Sequence, residues 1–85
     1  MLTEAQLNRR GLLKLMLRMP ELRDRLRELS LTDDDFLSLC GAFEDASTTL
    51  DELRRDRNGR NKSAIFEYEE LCRDIETEIK KSCNR

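Results

Sequence analysis

Apolar residues recur along this chain at helical spacing in four successive stretches. In the first, Thr3 followed by Gln6 has the spacing of a capping box, which places a helix over residues 4–18. Leu2, Ala5, Leu12, Leu13, Leu15, Met16, Leu17 and Met19 fill more than half of its circumference, with Arg10, Lys14 and Arg18 on the other side. An arc that broad exceeds what one neighbouring helix covers. Gly11, in mid-helix, weakens it by about 1 kcal/mol relative to alanine. Pro20 suits the first position of a short second helix over 20–29. There Leu22, Leu26 and Leu29 share a face, and Glu21 and Arg25 are spaced as an i,i+4 ion pair.

The next two stretches match each other. Thr32 reads as an N-cap ahead of Asp33, Asp34 and Asp35, three carboxylates where a helix dipole favours negative charge. Phe36, Leu39, Phe43, Ala46, Leu50 and Leu53 then follow a 3-4-3-4-3 spacing, an a/d seam over a helix spanning 33–55. A polar stretch with Asn58-Gly59 inside it reads as a turn. Ser63 can cap a last helix over 63–83, whose Ile65, Tyr68, Cys72, Ile75 and Ile79 continue the same spacing. If the chain folds back at Gly59, antiparallel partners have numbers summing to 118, and every seam residue but Phe36 meets another seam residue. The expected architecture is all-α: a long antiparallel helical hairpin with one or two N-terminal helices packed on it. The small residues beside the first seam, Cys40, Ala42, Ser47 and Thr49, leave room for such a helix to approach.

Composition sharpens this picture. The chain has 85 residues, 40 % of them charged, with no histidine, no tryptophan and one proline. Histidine-based acid/base catalysis, histidine metal ligands and Ser-His-Asp or Cys-His arrangements are excluded. A chain this short buries only about 60–65 % of the surface its unfolded form exposes, and such domains often add an oligomer interface, a metal or disulfides. Cys40, Cys72 and Cys83 cannot all pair within one chain and contain no C-x-x-C, so reduced thiols in a cytoplasmic protein are expected. Arg9, Arg10, Lys14 and Arg18 interrupt the N-terminal apolar stretch, which therefore reads as neither a signal peptide nor a membrane span.

Charge is unevenly spread. Residues 1–31 hold seven Lys/Arg against four Asp/Glu, and residues 32–53 hold seven acids and no base. Residues 54–62 hold five bases against one acid, and residues 63–85 hold four bases against six acids. A basic cluster therefore lies between two acidic segments.

The pattern Asp35-Phe36, Leu39-Cys40, Phe43, Ala46 and Leu50, followed by Glu67-Tyr68, Leu71, Ile75-Glu76 and Glu78-Ile79, resembles a set of short uncharacterised helical-hairpin proteins of proteobacteria. The resemblance covers about the C-terminal 50 residues. It implies a helical hairpin of bacterial cytoplasmic origin and carries over no catalytic residue.

Candidate chemistry is sparse. Asp33, Asp34 and Asp35 point about 100° apart around a helix and cannot converge on one ion, and no calcium-loop pattern is present. Glu44 and Asp74 approach each other under the 118 rule, but two carboxylates without a cleft do not make an active site. Cys40 and Cys72 read as packing residues, and Cys83, near the chain end beside Lys80 and Lys81, as the thiol most open to reaction. No cofactor or metal is expected. The preferred expectation is a small non-enzymatic protein-interaction or regulatory module. It would bind a protein partner, or itself as a homodimer, through Leu12, Leu13, Met16 and Met19, with Arg54, Arg55 and Arg57 steering. The alternative is a nucleic-acid-associated regulator that grips phosphates with the basic hairpin tip, 54–62, although that tip lacks interleaved aromatics. The first helix lacks the Trp and Phe that anchor helices on membranes, so no membrane partner is expected.

Overall fold

The computed structural model describes residues 2–56 and 59–84. Among these the protein is all-α, with α1 over Glu4–Arg18, α2 over Arg23–Thr32, α3 over Asp34–Arg55 and α4 over Lys62–Cys83. α1 begins where its capping box dictates: Thr3 Oγ1 accepts from the Gln6 amide at 3.2 Å, and Gln6 Oε1 accepts from the Thr3 amide at 2.9 Å.

Three boundaries differ from the sequence reading. Pro20 opens a single 3-10 turn, Pro20–Leu22, and the α-helix proper runs from Arg23 to Thr32 rather than over 20–29. Thr32 is not the cap of α3. It lies in the last turn of α2, its hydroxyl donating to the Glu28 carbonyl. Asp33 takes the cap instead, in extended backbone, with Oδ1 accepting from the Phe36 amide at 3.1 Å. Two good capping residues stand side by side, and the one where α2 runs out takes the role. Ser63 likewise lies inside α4, because that helix starts at Lys62. Its N-cap, Asn61, makes no side-chain cap bond; its amide reaches across the turn to Asp56 Oδ2 at 2.7 Å. Gly59 has the positive φ of 66° that the turn requires.

The expected hairpin forms, α3 against α4, but α3 is the centre of the fold because α1 lies along its other side. The seam residues Phe36, Phe43, Ala46 and Leu50 are buried against Cys72, Ile75 and Ile79. Cys40, Gly41 and Glu44, off that seam, are buried as well, under α1. The approach there is close. A Cβ on Gly11 would lie 1.8 Å from the Cys40 carbonyl oxygen, and a Cβ on Gly41 would lie 2.1 Å from Asn8 Oδ1. The glycine that costs α1 helix propensity is thus the one that lets two backbones meet. α2 closes the end of the core with Leu26, and Arg25 Nε donates to the Cys83 carbonyl at 3.2 Å, tying α2 to the end of α4. The result is elongated, 43 × 28 × 19 Å, with a radius of gyration of 13.5 Å.

Candidate interaction surface

The broad apolar arc of α1 divides into two sectors. Gly11 marks the sector that meets α3, and Leu15, one turn on at i+4, is fully buried in the core. Met16 (9 % exposed) and Met19 (4 % exposed) belong to that core, and Leu12 packs half-buried against it. Of the four apolar residues expected at an interface, Leu13 alone is exposed, at 51 %. Leu17, in the same arc but not among those four, is 84 % exposed. The two leucines lie one turn apart on the side of the helix away from Gly11, and with Pro20 and Arg23 they line a shallow depression of about 330 Å³. Arg9 and Arg10 are exposed one turn before Leu13. The apolar strip is therefore bordered by Arg9, Arg10 and Arg23.

Of the three bases expected opposite this arc, Arg10 is exposed beside the strip, whereas Lys14 and Arg18 are engaged by carboxylates. Lys14 Nζ lies 2.9 Å from Glu44 Oε2 and donates to Ser47 Oγ at 2.8 Å. Glu44 is buried, and its other oxygen accepts from Thr48 Oγ1 at 3.2 Å. Oε2 receives no well-angled hydrogen bond, so the nearby ammonium compensates it as charge. Glu44 is thereby turned toward α1, while Asp74 lies exposed on α4, and the two acids are not brought together as a site. Arg18 pairs with Glu76 and lies over the Phe43 ring, 5.6 Å from its centroid, joining α1 to α4 above α3. Arg54, on the hairpin tip, pairs with Glu69 at 2.9 Å. The numbers of that pair sum to 123 rather than 118, an offset that the long arginine stem spans. These three cross-helix pairs border a cleft of about 430 Å³ floored by Phe43, Leu50 and Cys72. They hold the helices together across it. Arg55 is exposed at the same tip, and Arg57 lies outside the described residues.

The cysteines differ from the sequence reading at one position. Cys83 is buried, with Arg25 on its carbonyl, rather than open to reaction. Burial pushes its thiol up, opposed by the Arg25 charge. Cys72 is also raised, first by burial and then by the Glu76 carboxylate. Cys40 is pushed up to about 12, first by burial and then by Cys83. All three are thiols at neutral pH and weak nucleophiles.

Among the described residues no group of His, Cys, Asp and Glu is placed to hold a metal ion, and no helix is long and apolar enough to cross a membrane. No protein-family model, curated protein or solved structure matches the chain.

Proposed function

We propose that this chain is a small, non-enzymatic, cytoplasmic protein-interaction module that docks its partner on the Leu13–Leu17–Pro20 strip of α1. The observation that carries this reading is the pair of adjacent leucines, 51 % and 84 % exposed, on a chain that is 40 % charged. Single exposed apolar residues are ordinary, but neighbouring ones on one turn with charged borders are the form a docking strip takes. The arginines bordering the strip, with Arg55 at the hairpin tip, steer an acidic partner toward it. Three unpaired thiols support a reducing compartment. The alternative, phosphate binding by residues 54–62, draws less support because Arg54 is engaged by Glu69.

Affinity capture from the native host with the wild-type chain and Leu17→Glu, each with and without nuclease, tests this reading. A protein retained by the wild type after nuclease treatment and lost with L17E is the expected result. Recovery that depends on intact nucleic acid and ignores L17E would overturn it in favour of the basic tip.

A further inference from the structure

The depression beside Leu13 and Leu17 is lined by Leu13, Met16, Leu17, Pro20 and Arg23, so its single charge is positive. Around α1, Leu17 lies about 40° from Leu13, with Arg9 about 40° to one side and Arg10 about 60° to the other. These two arginines are the only charged residues of α1 on that half of the helix. Lys14 and Arg18, further round, are engaged by Glu44 and Glu76, and Glu4 lies on the opposite side. On α2 the exposed Arg27 lies about 40° around from Arg23, whereas Asp24 and Glu28 lie about 100° and 140° around. Glu28 is engaged by Arg25. Glu21, next to Pro20 in the 3-10 turn, lies about 120° around from it. The apolar strip is therefore contiguous, and the charges that border it are arginines.

Such a border calls for carboxylates or phosphates, and the leucines call for apolar groups between them. A nucleic-acid backbone supplies anions without apolar side chains. A helix held on an anionic lipid surface takes a longer apolar face than two leucines, with aromatic anchors. A protein segment carries both kinds of group. Among the described residues every element is helical, so no sheet edge is present to pair the backbone of an extended segment. A segment laid against leucines must then satisfy its own N–H and C=O groups, as a helix does. The part of α1 that carries the strip, Arg9 to Arg18, rises about 14 Å, the length of two to three turns of a partner helix.

We infer that the occupant of the α1 strip is an acidic amphipathic helix of a partner protein. Its apolar residues, spaced i, i+4, sit against Leu13 and Leu17, and aspartates or glutamates beside them face Arg9, Arg10 and Arg23. This rests on the reading of the strip as a docking surface and names what docks there. The leucines hold the helix, and the arginines reject basic helices of the same apolar pattern.

Fluorescence anisotropy with the full chain and three synthetic helical peptides tests the inference. The first peptide carries leucines at i, i+4 and i+7 flanked by glutamates. The second has lysines in place of the glutamates, and the third has serines in place of the leucines. The first binds the wild type, more tightly at low salt, and at least roughly tenfold more tightly than either of the others. Arg9→Glu/Arg10→Glu weakens binding of the first at least roughly tenfold and strengthens binding of the second. Neither arginine forms an ion pair among the described residues, so this variant keeps the helical circular dichroism of the parent. Equal affinity for the glutamate and lysine peptides, or an Arg9→Glu/Arg10→Glu variant that binds the first as the wild type does, overturns the inference. So does a wild type that binds phosphatidylserine vesicles in preference to all three peptides, which makes lipid the occupant. A wild type that binds no peptide yet captures a Leu17-dependent protein sinks the acidic helix alone. Peptide binding and capture that L17E leaves unchanged sink the docking strip as well.

Discussion

Gly11 of α1 lies against the carbonyl of Cys40 in α3 so closely that a Cβ would come within 1.8 Å of the oxygen. Gly11→Ala is therefore expected to destabilise the protein, although alanine favours a free helix by about 1 kcal/mol. The obstruction is backbone, so the two helices must move apart, at a cost of about 2–4 kcal/mol and a Tm lowered by roughly 10–20 °C. Gly41→Ala meets the end of the Asn8 side chain, which can swing aside, and costs less. Thermal melts of the two variants check both the sign and the order.

This contact also shows what was legible in the chain and what was not. The bounds of α1 follow from Thr3 and Gln6, whose capping bonds are local, and they agree with the structure. The seam of α3 and α4 was legible because a 3-4 spacing needs no partner to be seen. Which sector of the α1 arc meets the core was not legible from that arc, because it spans more than half the helix. Gly11 was the available signal, since a mid-helix glycine often marks a close approach; Leu13 lies about 160° around the helix from it and Leu17 about 120°. Thr32 and Asp33 are equally good caps, and the choice depended on where α2 ended. Cys83 is buried in the core, its carbonyl held by Arg25, 58 residues away in sequence, a tertiary relationship that no local pattern carries.

Lys14 is expected to matter for stability rather than for binding. Lys14→Met leaves the buried Glu44 carboxylate without its counter-charge and costs about 2–3 kcal/mol, less than a fully buried pair because Lys14 is partly exposed. Replacing both partners, Lys14→Met with Glu44→Leu, regains a large part of that loss. A double-mutant cycle by urea unfolding measures the coupling, and additive effects would count against the pair.

Alkaline pH should destabilise the fold through the thiols. Cys40 is raised to about 12 in the folded chain, while an unfolded cysteine ionises near pH 8.5. The stability this thiol supports is full below about pH 8.5. It declines as pH rises toward the folded value, by up to about 1.4 kcal/mol per unit, because only the unfolded chain gives up the proton. Cys40→Ala should flatten that slope in unfolding measurements across the alkaline range. By the same burial, the native protein should react slowly with a thiol reagent at pH 8, and unfolding should release three reactive cysteines.

The core and the exposed strip beside it should respond to alanine in different ways. Met19→Ala removes a core side chain and costs about 2–4 kcal/mol. Leu17→Ala removes an exposed one and should change stability by less than about 0.5 kcal/mol. A Leu17→Ala variant as unstable as Met19→Ala would place Leu17 in the core and remove it from any interface.

The most direct test of the account is capture of a protein partner, after nuclease treatment, by the wild type beside Leu17→Glu. The wild type should retain a partner that L17E loses while L17E keeps its helical content intact. Equal retention by the two folded proteins would contradict it.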